Sequence, residues 1–252
     1  MRFSHLAFQC ASALLLCAAS LRAETGAPCR AENYENRGFV VCEFDLKHYD
    51  LKLFWKNSNG EAYGSLQNIP HSNQPNGAPL VFATNGGMYR PDRSPVGLYI
   101  ENGRTLQNAI TGSGTGNFYL KPNGIFFASG ESAGILETGR FLHEHLHADN
   151  ATQSGPMLVI NGRLHPRFSL TSLSEKIRNG VGITGEKKVV FAISDDPVTF
   201  TVFAKFFRDQ LHCPDALYLD GSISSIYAPS VHRADYLWPL GPIIAVYAHG
   251  QP

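Results

Sequence analysis

Val81-Phe82-Ala83-Thr84-Asn85-Gly86-Gly87-Met88-Tyr89 is an apolar, β-prone run brought to a stop by Asn-Gly-Gly. The plan recurs along the chain. Short β-branched and aromatic runs lie between turn residues, and strands are expected over Phe39–Phe44, Leu51–Trp55, Leu80–Thr84, Gly97–Glu101, Gly124–Ser129, Met157–Ile160, Gly180–Thr184, Val189–Ile193, Ala216–Leu219 and Ile243–Tyr247. Asn59-Gly60, Asn76-Gly77, Asn102-Gly103, Asn123-Gly124 and Asn161-Gly162 read as turns or hairpin loops. One helix stands out: Phe200, Phe203, Ala204, Phe207 and Leu211 recur at helical spacing, with Lys205, Arg208 and Asp209 on the other side. Asp196-Pro197 supplies its expected N-cap and first-turn proline. The expected fold is α+β: a single domain with a strand-rich mixed sheet and helices packed on it.

Composition narrows the class of function. The 252 residues carry 21 Lys+Arg against 21 Asp+Glu, with no basic excess to hold a duplex nucleic acid. Hydrophobic residues make up 43%, too many for a disordered chain. Charged residues are only 17% while Gly numbers 24 and Pro 15, which points to many tight turns and away from a coiled coil. No repeat, linker or low-complexity block divides the chain.

The first residues follow another plan. Met1-Arg2 precedes an apolar stretch from Leu6 to Leu21, and Ala23 offers a small residue for cleavage. A basic start, a short apolar segment and a small-residue exit describe a secretory signal peptide over residues 1–23, leaving a domain over 24–252. Gln9 and the serines make the stretch a poor anchor, since a spanning helix needs about 20 apolar residues. The expectation is an exported protein, periplasmic or secreted, with no stable membrane insertion once the leader is cleaved. The mature chain would keep Cys29, Cys42 and Cys213. An oxidising compartment favours Cys29–Cys42, stapling the N-terminal arm onto the first strand, and leaves Cys213 as a buried, inert thiol.

Several segments offer chemistry. His143-Glu144-His145-Leu146-His147 fits H-E-x-x-H, in which two histidines on one helical face hold zinc and Glu is the base. A catalytic zinc needs a third ligand, and only Asp149 follows nearby, so a His-rich surface helix end is the plainer reading and no metal is assigned. Gly112-Ser-Gly-Thr-Gly116 lacks the G-x-G-x-x-G spacing, so it reads as a flexible loop over a pocket and no cofactor is implied. Three segments set polar residues and glycine at strand ends: Val81–Tyr89, Arg178-Asn179-Gly180-Val181-Gly182, and Ala216-Leu-Tyr-Leu-Asp220-Gly221-Ser222-Ile223-Ser224-Ser225. Glycines beside Asn or Asp let backbone N–H groups face an anion. Arg178 suits a two-pronged phosphate or carboxylate contact, and Asp220 a nucleophile or base.

These segments, with Pro95-Val96-Gly97-Leu98-Tyr99, Gln153-Ser-Gly-Pro-Met-Leu158, Lys176–Gly182 and Phe191-Ala-Ile-Ser194, fall in an order that resembles the phosphodiester glycosidase family, from about Cys29 to Tyr247. Exported bacterial members carry this domain alone, some with exopolysaccharide-related labels. Many members read Asp-Gly-Gly-Gly-Ser where this chain has Asp220-Gly-Ser-Ile-Ser224, and Thr is common where Asn179 stands. The resemblance implies hydrolysis of a sugar-1-phosphodiester, of the N-acetylglucosamine-1-phosphate type, at the glycosidic bond. It places Asp220, Arg178 and Asn85 as catalytic residues, and Gly86, Gly87, Asn179, Gly221, Ser222 and Ser224 around the substrate. Arg178 and the Asn85–Gly87 amides would hold the phosphate, with Ser222 and Ser224 on the sugar hydroxyls or the aspartate. The expected partner is a carbohydrate phosphodiester or an envelope glycan. Two other classes stand beside this one: a non-catalytic binder of cell-envelope polysaccharide, and a zinc hydrolase on His143, Glu144 and His147.

Overall fold

The computed structural model describes residues 27–73, 77–168, 174–236 and 239–249, and the Ser222 side chain lies outside that description. The leader expected over residues 1–23 and Asn76 of the Asn76-Gly77 pair lie outside the described residues.

Three sheets make the fold. The first runs Cys29–Tyr34, Arg37–Phe44, Val189–Ser194, Asn179–Ile183, Asp215–Tyr218, Met157–Ile160 and Arg163–Leu164. The second runs Arg233–Ala234, Ile226–Ala228, Ala78–Asn85, Ile243–Ala248 and Tyr49–Phe54, with a short strand Ser72–Asn73 also paired to Ala78–Asn85. The third runs Arg104–Gln107, Tyr99–Glu101, Asn150–Ser154, Gly124–Ser129 and Ser132–Glu137. Every described strand pairing is antiparallel, which corrects the expected mixed sheet. Among the described residues strand accounts for 43% and helix for 12%, so the fold is closer to all-β than to α+β. The reason is the shortage of crossover helices: parallel neighbours need connections of a dozen or more residues, and the helical pieces here are brief.

The core lies where the sheets meet. Phe44 and Phe191 from the first sheet, Phe82 from the second and Phe126 from the third are buried together, with ring centroids 4.9 Å apart for Phe82–Phe191 and 6.0 Å for Phe126–Phe191. On the outer face of the first sheet, Phe203, Phe206 and Phe207 bury against Phe39, Val41, Val190 and Ala192. Their helix begins later than expected. Thr199 is the N-cap, its Oγ1 accepting from the Val202 N–H at 3.2 Å, and the α-helix covers Phe200–Lys205 before widening into a π-helical turn over Phe206–Gln210. Asp196 accepts instead from the Gly38 N–H at 2.8 Å, and Val198 exchanges backbone bonds with Lys176, which holds that stretch extended.

Local turn chemistry explains two hairpins. Asn102 and Gly103 (φ 50° and 73°) join Tyr99–Glu101 to Arg104–Gln107, and Asn161 and Gly162 (φ 48° and 75°) join Met157–Ile160 to Arg163–Leu164. Two successive positive φ angles are what the favoured two-residue hairpin turn demands. Asn123-Gly124 departs from the expectation. Asn123 is buried, donating to the Phe118 carbonyl and accepting from Thr138 Oγ1, each at 3.0 Å, and Gly124 already belongs to a strand. Cys29 and Cys42 sit opposite one another across the first hairpin and are joined as a disulfide. Burial pushes the Cys213 thiol up to about 12, far from a nucleophile's range.

Candidate functional site

The first and second sheets exchange chain at one end. Asp215–Tyr218 closes in the first sheet, and residues 219–225 then cross over so that Ile226–Ala228 can pair with Ala78–Asn85 in the second. Asn85, the last residue of its strand, thereby meets Asn179, the first of its own. Asn85 Oδ1 accepts from Asn179 Nδ2 at 2.9 Å and from the Ser225 N–H at 3.0 Å. Asn85 Nδ2 donates to the Asp220 carbonyl at 3.1 Å, and Asn179 Nδ2 also donates to Thr84 Oγ1 at 3.0 Å. Ser224 Oγ completes the cluster by donating to Asn179 Oδ1 at 3.3 Å. Both asparagines are 1% exposed, so each amide is costly to bury and strongly fixed once its partners are in place.

Asp220 is half-buried beside this network. Its residue position is set from two sides, by Asn85 on its carbonyl and by Tyr218 just before it. Tyr218 Oη accepts from the Gly221 N–H at 2.7 Å. Burial chiefly raises the Tyr218 phenol, while the Arg178 charge pulls it down and Asp220 pushes it up. Burial, then Asp220, raises the Tyr89 phenol, whose hydroxyl donates to the Pro239 carbonyl at 2.5 Å. Neither tyrosine had a role assigned from sequence. Inside apolar or motif runs each reads as packing, and only the folded chain brings the Tyr218 hydroxyl onto the Asp220 turn.

Arg178 lies deeper than a phosphate ligand expected from sequence. It is 1% exposed, its Nε donating to the Val198 carbonyl at 2.8 Å and its Nη2 to the Ser174 carbonyl at 3.0 Å. The guanidinium sits 3.7 Å over the Phe200 ring and 5.5 Å from that of Tyr218, and burial lowers its pKa from the ordinary value.

The amide cradle expected at Asn85–Gly87 is occupied from within. The Asn85 N–H points to the Ser225 carbonyl at 3.4 Å, Gly86 donates to the Pro242 carbonyl at 2.7 Å, and Gly87 to Thr152 Oγ1 at 3.3 Å. These glycines serve close packing instead: a Cβ on Gly87 would stand 2.4 Å from the Gln153 carbonyl oxygen. Gly180 and Gly182 face away from the cluster, toward Phe203, Phe207 and Cys213, where they let the helix lie on the sheet. Gln153 of the Gln-Ser-Gly-Pro segment is a buried clamp, accepting from the Leu98 and Ile110 N–H groups at 3.0 and 2.9 Å. It anchors the base of the loop that holds Gly112 to Gly116.

The H-E-x-x-H segment does not form one helical face. The helix covers Thr138–His143, Glu144 is its C-cap and His145 turns left-handed at φ 48°. Two open clefts, of about 360 and 340 Å³, lie at the other end of the sheets. One is lined by Asp50, Lys52, Ser129 and Asp149, and the other by Arg30, Glu43, His48 and Lys188. Asp50 pairs with Tyr247, which pairs with Leu80, five residues before Asn85, or about 17 Å along a strand.

Residues 78–247 match the family model described as phosphodiester glycosidase, and the chain belongs to that family. It is 39% identical to the uncharacterized protein YigE of Escherichia coli strain K12 over 177 residues, 70% of this chain and 69% of that protein. Among solved structures it resembles the zebrafish N-acetylglucosamine-1-phosphodiester alpha-N-acetylglucosaminidase catalytic domain, auto-inhibited by its pro-peptide, with a TM-score of 0.56 and 15% identity, over 88% of this chain and 82% of that one. It also resembles a Burkholderia pseudomallei protein whose name gives it provisionally as exported, with a TM-score of 0.57 and 10% identity, over 84% of this chain and 74% of that one. At such identities the structural likenesses speak for the fold alone.

Proposed function

We propose that this chain is an exported hydrolase that cleaves a sugar-1-phosphodiester, of the N-acetylglucosamine-1-phosphate type, at the glycosidic bond, in envelope or exopolysaccharide metabolism. The observation that carries the reading is the meeting of Asn85, Asn179 and half-buried Asp220, from three separate motifs, in one hydrogen-bonded cluster inside the family's domain. The apolar leader, the Cys29–Cys42 hairpin and a fold shared with a provisionally exported protein support export. No described helix is long and apolar enough to cross a membrane.

The chemistry suits a single carboxylate. An ordinary glycosidase needs two because an alcohol leaves badly without a proton. A phosphate monoester, with a second pKa near about 6, leaves as an anion. The C1–O bond breaks with its electron pair going to the phosphate oxygen. Asp220 either attacks C1 itself or takes a proton from the water that does, and hydrolysis ends with free sugar and phosphate monoester. Asn85 and Asn179 hold the turn that carries Asp220, Ser224 and Ser222 border the sugar, and Gly86, Gly87 and Gly221 let the surrounding chain pack closely enough to place that turn. Arg178 supplies positive charge from behind the Tyr218 ring.

The test is release of free N-acetylglucosamine from an α-N-acetylglucosaminyl phosphodiester. Asp220→Asn should lower turnover by on the order of 10²–10⁴. Full rate in the mutant would remove Asp220 from the chemistry, and binding without turnover by the wild type would make the domain a glycan binder.

A further inference from the structure

We propose that Tyr218 is a positioning residue that ties Arg178 to the Asp220 turn, so that Arg178 acts on the site through Tyr218 and not as a direct phosphate ligand. The proposal rests on Asp220 being the reacting carboxylate.

Tyr218 ends the strand Asp215–Tyr218, is 2% exposed, and turns its hydroxyl back onto the chain three residues on. The Oη takes the Gly221 N–H at 2.7 Å, so a side chain fills the acceptor place that a backbone carbonyl fills in an ordinary turn. Gly221 is shaped for this contact. A Cβ there would lie 2.0 Å from Tyr218 Oη and 2.9 Å from the Ile177 carbonyl oxygen, so a side chain at 221 would drive the hydroxyl away.

The other side of the ring is held as firmly. Phe200 meets Tyr218 edge-on with centroids 4.8 Å apart, and the Arg178 guanidinium spans both rings while its donors are fixed on Val198 and Ser174. Across the sheet, Gly180 pairs with Tyr218, so Arg178, Asn179 and Tyr218 move as one block. Asp220 therefore hangs between two fixed points, Asn85 Nδ2 on its own carbonyl and Tyr218 Oη on the next N–H. Losing the hydroxyl frees the second point. The carboxylate then samples positions away from the sugar, and misplacement of about 1 Å is enough to cost on the order of 10² in rate.

Tyr218→Phe keeps the ring and removes only the hydroxyl. On the full chain, amide exchange at Gly221 should speed up by about tenfold or more while the amides of Asn179–Ile183 hold, since one buried acceptor is lost and the strand ladder is not. On the α-N-acetylglucosaminyl phosphodiester, kcat should fall about 10- to 100-fold with KM within about twofold. Arg178→Lys should lower kcat in the wild-type background and change it by no more than about twofold in the Tyr218→Phe background, because the second change has no hydroxyl left to act through. Unchanged Gly221 exchange overturns the proposal. So does a Tyr218→Phe protein that loses stability but keeps kcat, or an Arg178→Lys effect of equal size in both backgrounds, which would put Arg178 on the substrate. If the wild type turns nothing over, the Asp220 reading fails by itself, and Gly221 exchange still decides whether Tyr218 holds the turn.

Discussion

The two ends of the sheets are built from different materials. At the Asn85–Asn179 end, buried neutral amides satisfy one another beside the half-buried Asp220. At the opposite end, wide clefts are lined by charged and polar groups that pair off, Lys188 with Glu43 at 2.9 Å and Asp50 with the His249 ring at 3.1 Å. The two clefts thus lie apart from the residues proposed to do chemistry. Neutral amides can be buried without the heavy cost of burying ions, and they add no charge to compete with Asp220 for a ligand. The charged end has space, but its groups are screened by water and committed to each other.

That contrast breaks most sharply on activity. Asp220→Asn and Asp50→Asn make the same chemical change at the two ends. Turnover of the α-N-acetylglucosaminyl phosphodiester should collapse for the first, as set out above. For the second it should stay within about twofold, the scale of a surface change away from any special feature. A large loss at Asp50 would move the chemistry to the wide cleft.

Stability separates the ends next. Asn179→Leu strips one partner each from Asn85 Oδ1, Thr84 Oγ1 and Ser224 Oγ and sets an apolar side chain among buried polar atoms. Urea unfolding should show a loss of about 1–3 kcal/mol or more. Asp149→Asn, whose carboxylate takes the exposed Ser129 hydroxyl and Gly130 N–H at 3.0 Å each, should lose about 1 kcal/mol or less. Equal losses would mean that the asparagine cluster is no better fixed than the surface.

What the sequence makes legible follows from the same physics. The ten strands expected from apolar runs are all present, with ends shifted by no more than two residues. Asn150–Ser154 escapes because it is a buried strand made of polar residues. Asn150 is spent on the Leu51 carbonyl and Leu53 N–H, Thr152 on Gly87, Gln153 on Ile110 and Ser154 on the Leu219 carbonyl. Such a segment shows no hydrophobic period, and its partners lie far away in sequence. Cys29–Tyr34 escapes likewise, as an edge strand with mostly exposed side chains. At the site, Asn85 and Asp220 are readable as polar residues at strand ends. The depth of Arg178 and the inward use of the Gly86 and Gly87 amides are not, because burial is a property of the packed sheets and the local motif carries no trace of it.

Acid should weaken the wall behind the site. His165 is 2% exposed, and its Nε2 has no hydrogen-bond partner among the described residues. Its ring stacks on Phe168, which stacks on Phe200 beneath Arg178. Burial first, and Arg167 after it, lower its pKa, with the Lys121 and Pro122 carbonyls opposing. Above the unfolded value of about 6.5 the imidazole is neutral in both states and contributes no slope. Below it the unfolded chain takes up a proton that the folded chain resists, so stability falls as pH drops toward the folded value. Melting temperature followed from pH 7.5 to 5 should decline less in His165→Leu than in the wild type. Parallel curves would show that the ring titrates freely.

The smallest effect belongs to the charged cleft. Lys188 Nζ lies 2.9 Å from Glu43 and 3.1 Å from Glu186, and these partners together raise its pKa. The contacts look strong on distance alone. Yet Lys188 and Glu43 are each about a third exposed and Glu186 is 78% exposed, so water screens the attraction and three flexible side chains lose freedom in forming it. Pairs of this kind are worth about 0.2–1 kcal/mol. Lys188→Ala should therefore shift the urea midpoint barely beyond error, and the shift should vanish in 1 M salt, where the screening length shrinks to about 3 Å. A loss above about 2 kcal/mol that survives salt would mean that this end, too, is held by buried electrostatics, and the division between the two ends would no longer stand.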